Sequence, residues 1–424
     1  MQVQKTKPKS KFLKLRFGIK QIPSNWMIKN LGKLSTLYVP MRDKPKQFGG
    51  TIPWLRIEDL DGKYVRESKS NQKVTQETIK EMKLRVYPVG TVLCSCSATL
   101  GVCAITTSEL ITNQTFIGIH PSTELDDEFL FYYLSTQANN LRKISSGTTI
   151  PYISRKKFED LPILFPPKNE QQKIASILSN VDSLISQYDK VIESTKIVKK
   201  GLMQKLLIKG IGHTKFKKIK WYFGKEIEIP EGWEIKKLHE LCRIERGKFT
   251  HRPRDDPAFY NGKYPFIQTG DVEKSDGYIT NHFQTLNDRG LSVSKLFPAN
   301  IIVITIAANI GTTAITTYPI CFPDSLIGIT PKKMDIKFLE LFLTTRKNYL
   351  NIVATVSAQK NINLETLKPL LIPVPTLKEQ KIISSFVHDF ENKLIELKKT
   401  LEFLQTLKRG LVQKLLTGQI RVRN

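Results

Sequence analysis

The chain has no run of about 18 apolar residues, the minimum for a membrane-spanning helix. Its longest apolar stretch, IIVITIAANIG at 301–311, suits a buried strand and its turn. The N-terminus is basic but lacks the apolar segment of a secretory signal, so a soluble cytoplasmic protein is expected. Acidic residues are scarce, 39 against 66 Lys and Arg, leaving a net charge of +27. Such an excess calls for a polyanionic partner, because Lys and Arg bound to phosphate release condensed counterions. Duplex DNA, RNA and an anionic membrane surface all satisfy that condition. Cysteines number five, an odd count, and VLCSCSA places Cys94 and Cys96 in strand-like alternation. Reduced thiols serving as strand side chains are expected, and no metal site.

The motifs of common catalytic folds are also missing. There is no GxxxxGK[ST] loop to cradle a nucleotide phosphate and no GxGxxG after a strand for a dinucleotide or adenosyl cofactor. FPPK at 165–168 lacks both the Asn or Asp and the stacking aromatic that an adenine methyltransferase tetrapeptide needs. ExK triplets recur at Glu81–Lys83, Glu379–Lys381, Glu391–Lys393 and Glu396–Lys398, so in this Lys-rich chain they are background for a metal-dependent nuclease. The six histidines are scattered and form no HExxH or triad-like cluster. No catalytic residue and no cofactor is assigned to this chain.

What the chain does contain is one sentence stated twice. IPSNWMIKNLGKL (22–34) is answered by IPEGWEIKKLHEL (229–241). IPWLRIEDL (52–60) answers YPFIQTGDV (264–272), ATLGVCAITT (98–107) answers ANIGTTAITT (308–317), and QTFIGI (114–119) answers DSLIGI (324–329). DDEFLFYYLST (126–136), QQKI (171–174) and KGLMQKLL (200–207) answer DIKFLELFLTT (335–345), EQKI (379–382) and RGLVQKLL (409–416). The offset drifts only from 207 to 212 residues, too long for a solenoid period, so a whole domain is duplicated.

The expected organisation is a basic tail (1–20), a globular unit (21–167), a long helix (168–211), a basic linker (212–228), a second globular unit (229–375), and a second long helix with its tail (376–424). Each globular unit mixes short strands (54–57, 91–96, 101–106 and 116–119 in the first) with helices such as 128–141, an α+β class. Proline-rich LPILFPP closes the first unit. The heptad seam of the first long helix runs through Ile174, Leu178, Val181, Ile185, Tyr188 and Ile192; that of the second runs through Phe386, Phe390, Leu394, Leu397, Leu401 and Leu404. About 40 residues of helix span roughly 60 Å, and such a stripe needs a partner to bury it. An intramolecular antiparallel coiled coil with pseudo-twofold symmetry is expected. Pairing with another subunit, or an amphipathic helix lying on its own domain, is the alternative.

The order unit, long helix, unit, long helix, with IPxxWxIxxL openings, [EQ]QKI helix starts and [KR]GLxQKLL helix ends, resembles the specificity subunit of type I restriction–modification systems over about residues 21–420. The resemblance implies two target recognition domains, each reading half of a bipartite duplex DNA sequence, with the helices as an antiparallel spacer. It also implies docking of two methyltransferase (modification) subunits and of restriction (motor-nuclease) subunits. S-adenosylmethionine, ATP and Mg²⁺ belong to those partners, and no membrane is involved. A stand-alone methyltransferase or nuclease, or a duplicated RNA-binding protein, is the competing reading.

Reading residues are expected where the copies differ. One set lies in MRDKPKQFGG (41–50) opposite GKFTHRPRDDPAFYNG (247–262): Arg42, Lys44, Lys46, Lys248, His251, Arg252 and Arg254, suited to phosphates or guanine edges. A second, where the resemblance places a DNA-facing loop, is SGTTIPYIS opposite SAQKNIN: Thr148, Thr149, Tyr152, Arg155, Gln359, Lys360 and Asn361. A third follows a strand: Arg56 opposite Gln268 and Thr269. Shared Trp26/Trp233, Gly101/Gly311 and Gly118/Gly328 are read as scaffold.

Overall fold

The computed structural model describes residues 10–15, 18–40, 44–146, 150–307, 309–355 and 361–422. Two compact units emerge: residues 1–189 with 399–424, and residues 190–398. The division runs inside both long helices, Lys168–Lys209 and Leu377–Leu415, so each unit contains a globular part and a piece of each helix.

The globular part of the first unit is built on a five-stranded sheet in the order Ser35–Tyr38, Phe116–Pro121, Val92–Ser95, Cys103–Thr106, Tyr64–Val65. All neighbours are antiparallel except the last pair. The second unit repeats it with Cys242–Arg246, Leu326–Pro331, Ile302–Thr305, Thr313–Thr316 and Tyr278–Ile279, again with only the last pair parallel. Val92–Ser95 and Ile302–Thr305 are buried at every residue, as central strands covered on both faces require. The repeated glycines are explained by this geometry. Gly101 and Gly311 have φ of +84° and +83°, and a Cβ on either would meet the backbone of Ala138 at 2.9 Å or of Lys347 at 3.1 Å.

Trp26 and Trp233 are buried anchors of the two main cores. All five cysteines are free and buried. Burial pushes the Cys96 and Cys321 thiols up to about 11 and Cys242 to about 12; the neighbouring Cys103 thiol and burial raise Cys94. These are inert core thiols.

Within each unit the two helix pieces pack antiparallel. In the first, Ile174 and Leu178 share a core with Leu415 and Leu416, and Asp182 pairs with Lys408 while Glu170 takes Arg421 through two bonds of 2.7 Å. In the second, Leu207 shares a core with Ile383 and Val387, and Lys199 pairs with Glu391 at 2.8 Å. Val181, Ile192, Leu397 and Leu404 are buried and Ile185, Tyr188, Phe390, Leu394 and Leu401 half-buried, in keeping with the expected seam. Phe386 is not part of it: the residue is 52% exposed, and Val387 is buried instead. Near its start this helix packs on the globular core through Ile383 and Val387, an i,i+4 pair, which turns Phe386 outward.

Other expectations also change. Residues 212–228, read as a linker, contain the antiparallel hairpin Phe216–Lys220/Glu226–Pro230. The basic tail contains the matching strand Ser10–Leu15, paired with Gly18–Pro23. The duplicated unit therefore starts before the tryptophan motif. The helix expected over 128–141 is two, Asp127–Ser135 and Ala138–Ile144. The motif at the long-helix start is shifted by one residue: Gln171 matches Gln380, not Glu379. Gln171 accepts from the Asp126 amide (2.8 Å) and donates to the Glu124 (2.9 Å) and Pro166 (2.8 Å) carbonyls. Gln380 accepts from the Asp335 amide (2.8 Å) and donates to the Pro375 carbonyl (2.9 Å). Both amides are buried and clamp helix to globule.

Candidate nucleic-acid interface

Beside its shared five-stranded sheet, each unit carries a smaller sheet, and here the copies diverge. In the first unit it is three strands, in the order Ile111–Thr112, Ile52–Leu55, Lys73–Val74, over a core of Trp54, Val74, Leu84 and Ile111. In the second it is four, in the order Gln284–Leu286, Tyr260–Phe266, Ile320–Cys321, Leu296–Phe297, over Phe249, Phe266, Leu286 and Cys321. Among the described residues of the first and third sets, Lys44, Arg56, Gln268 and Thr269 lie on or beside these smaller sheets.

Arg56 and Gln268 occupy one backbone position. Each follows its strand and caps a helical turn, and the amide of each donates to an aspartate three residues on: Arg56 to Asp59 at 2.7 Å, Gln268 to Asp271 at 2.8 Å. The scaffold is the same; the side chain is not. The Arg56 guanidinium lies 5.8 Å from the Trp54 ring and 3.2 Å from Glu58. The exposed Lys44 ammonium stands over the same indole at 5.7 Å and over Phe48 at 5.9 Å. Two cations thus share one aromatic platform. The Gln268 amide instead donates to Gln284 at 2.7 Å, and Thr269 opens the following turn.

Around 247–262 Arg252, Arg254 and His251 are held by the protein itself. Arg252 donates to the Phe249 and His251 carbonyls (2.6 and 2.7 Å) and faces Asp324 at 3.6 Å; Arg254 also pairs with Asp324. His251 stacks on Phe259 (centroids 4.0 Å) and meets Asp256 at 3.1 Å. The Ala258 amide and then His251 hold the Asp256 carboxyl below its usual range. Lys46 and Lys248 are exposed.

The described residues of the second set sit elsewhere, in segments held against the ends of central strands. The amide of Ile153 donates to the Cys96 carbonyl at 2.9 Å, and that of Ile362 to Ile306 at 3.1 Å, so the two loops are equivalent. Tyr152 is exposed and bridges Ser97 and Ser146; Arg155 opens a short helix and pairs with Glu159 at 2.7 Å; Asn361 is half-buried. Arg42, Thr148, Thr149, Gln359 and Lys360 lie outside the described residues.

The sequence reading left out Arg246, Phe283, Gln284 and Arg289. Arg246 donates to the Asp324 carbonyl at 2.7 Å, Arg289 stands 5.8 Å from the Phe259 ring, and Phe283 is 81% exposed under Lys274. An exposed aromatic in a polar stretch, TNHFQ, was the available signal. Among the described residues, no helix is long and apolar enough to cross a membrane, and no group of three or more His, Cys, Asp or Glu is arranged to hold a metal ion.

Comparison with known proteins fits this duplicated plan. The family described as type I restriction modification DNA specificity domain matches twice, over residues 23–194 and 230–406. The MjaIX type I restriction enzyme specificity subunit of Methanocaldococcus jannaschii is 28% identical over 422 residues, 95% of each chain. The MjaVIII specificity subunit of the same organism is 32% identical over 334 residues, 74% of this chain and 75% of the relative. The crystal structure of the S subunit of a type I restriction–modification system from M. genitalium shares the fold, with a TM-score of 0.53 at 16% identity, covering 92% of this chain and 96% of that one.

Proposed function

The chain belongs to the type I restriction modification DNA specificity family, and from that membership we propose that it is the DNA-reading subunit of a type I restriction–modification complex. Each unit reads one half of a bipartite duplex target. The observation that carries this reading is the Arg56/Gln268 equivalence: one scaffold position, fixed by the same aspartate bond, presents a guanidinium in one unit and an amide in the other. A guanidinium suits the O6/N7 edge of guanine and an amide suits the N6/N7 edge of adenine, so the halves are read differently from a common frame.

The chain itself is non-catalytic in this reading. S-adenosylmethionine serves the modification subunits, and ATP and Mg²⁺ the restriction subunits. Two modification subunits dock on the long helices. Support comes from apolar side chains left exposed there: Leu184, Phe403 and Leu407 in the first unit, and Ile197, Phe386 and Ile395 in the second. Large apolar side chains exposed along both helices offer surface that a docked subunit would bury.

The test is methylation mapping in a host expressing the chain with its modification partners. Gln268→Ala is expected to relax one base position in one half-site, at a cost of about 1–3 kcal/mol in discrimination. The other half-site and the gap stay as they were. Relaxation in both halves, or none, would refute the assignment.

A further inference from the structure

A single exposed ring on a protein surface needs no explanation. Phe283 differs in its setting. It is the most exposed large apolar side chain among the described residues, and both its neighbours are tied down. His282 meets Tyr318 edge-on (centroids 5.4 Å), and its Nδ1 lies 3.1 Å from the Tyr318 hydroxyl. Gln284 opens an edge strand, pairs with Phe266, and accepts from the Gln268 side chain at 2.7 Å. The Lys274 ammonium stands 6.0 Å from the Phe283 ring. The ring is therefore presented on fixed backbone, beside the amide assigned to a base edge. This is the opposite end of the central strands from Ile306, where the amide of Ile362 is anchored. The hollow beside the ring, lined in part by Lys274, Tyr278 and Asn281, holds about 150 Å³. Small-molecule sites hold roughly 300–1,000 Å³, so the ring is not the wall of a ligand pocket.

The first unit has a different residue at this place. Thr285 pairs with Pro265 as Lys73 pairs with Pro53, so Gln284 corresponds to Gln72 and Phe283 to Asn71. The edge glutamine is kept, and the exposed ring is particular to the second unit. A feature of one copy, on the surface where the copies read differently, bears on specificity rather than on the shared frame.

The neighbouring amide selects the target of the ring. A glutamine amide suits the N6/N7 edge of adenine, which faces the major groove. The apolar group presented in that groove is the C5-methyl of thymine, and a phenyl ring is among the side chains that contact it. We propose that Phe283 reads a thymine methyl, in the base pair addressed by Gln268 or in the one next to it. Lys274, over the same ring, provides a cation for a phosphate at the same spot. The proposal rests on the reading of Gln268 given above and adds an apolar contact to it.

The test uses the full chain assembled with its modification subunits and a duplex carrying the mapped target. Each thymine within one base pair of the position that Gln268→Ala relaxes is replaced in turn by deoxyuridine, which lacks only the methyl. One replacement should weaken binding by the native chain about fourfold, the worth of one buried methyl group. Phe283→Ala should bind the thymine and uracil duplexes equally, and Phe283→Leu should keep part of the difference. Indifference of the native chain to every replacement, or an undiminished penalty in Phe283→Ala, overturns the proposal. So does the lack of any thymine within that range. Failure of Phe283→Ala to assemble with the modification subunits would give the ring to a protein partner, with the same consequence. In each of these cases Gln268→Ala still relaxes its own position, so the reading of Gln268 stands. If Gln268→Ala relaxes no position, that reading fails and this proposal falls with it.

Discussion

Replacing Gln380 with leucine removes a buried side chain of similar length and strands two backbone groups, the Asp335 amide and the Pro375 carbonyl. Each buried polar group left without a partner costs about 1–3 kcal/mol, so Gln380→Leu should lose about 2–6 kcal/mol from the second unit. The gain from burying an apolar isostere offsets little, because the partners are backbone and cannot be removed with it. Gln171→Leu strands three groups, the Asp126 amide and the Glu124 and Pro166 carbonyls, and should cost the first unit more. Urea unfolding of a two-unit chain is not two-state, so the measurement is hydrogen exchange resolved by segment. Protection should fall across 335–345 and 376–387 for Gln380→Leu, and across 124–135 and 166–178 for Gln171→Leu. Gln405→Leu, an exposed position on the same long helix as Gln380, should stay within about 0.5 kcal/mol of the native chain. If Gln380→Leu behaved like Gln405→Leu, the clamp would carry no energy and the reading of the motif would be wrong.

Two further outcomes can be measured. Lys337 is buried between Glu340 (3.1 Å) and Glu391 (3.4 Å); burial alone would lower its ammonium, and the two carboxylates outweigh that and hold it above its usual range. Lys337→Met should destabilise the second unit by about 3–5 kcal/mol by leaving Glu340 unpaired, and Lys337→Met with Glu340→Met should recover much of that loss; exchange protection of 336–345 reports both. Deleting one heptad from each long helix at matched positions should change the number of unread base pairs in the mapped methylation motif and leave both half-sites intact, and an unchanged gap would show that the helices do not set it.

The parts of the fold legible in the sequence are those where one period dominates. The seams of the long helices were readable because a 3–4 spacing over some 40 residues has no other interpretation, and the duplicated sheet was readable because its glycines and buried strands recur in order. Phe386 was misplaced because a heptad template assumes one partner, whereas the start of that helix packs on a globular core through Ile383 and Val387. The pairing of these segments was missed because FKKIK and KFLKL are short and rich in lysine, so the first read as linker and the second as a tail or a late-added strand. The helix break at Thr136 was missed because both flanking segments bury apolar residues, Leu134 and Leu141, and a continuous stripe hides a change of axis. Among candidate readers, sequence alignment alone paired Arg56 with Gln268. It did not show that Arg252 and Arg254 are both engaged by Asp324, some 70 residues away along the chain.

The repeat written along the chain is not the repeat that folds. In the second unit, Glu379 at the start of a long helix accepts from the Ile211 amide (3.0 Å) and the Trp233 indole (3.1 Å) and meets His213 at 2.7 Å. Ile211 and His213 follow directly after the other long helix. In the first unit the equivalent Glu170 is taken by Arg421, which likewise follows a long helix but lies near the end of the chain. The first unit is therefore closed by a residue that follows the second long helix, and the second by residues that follow the first. Arg421 occupies both carboxylate oxygens of Glu170, and among the described residues the buried Trp26 indole nitrogen has no hydrogen-bond partner, whereas the Trp233 indole keeps one. The same closure is thus made with a guanidinium in one unit and with an imidazole and an indole in the other. A duplicated gene can accept such drift because what the closure must supply is a partner for one carboxylate, and several chemistries supply it.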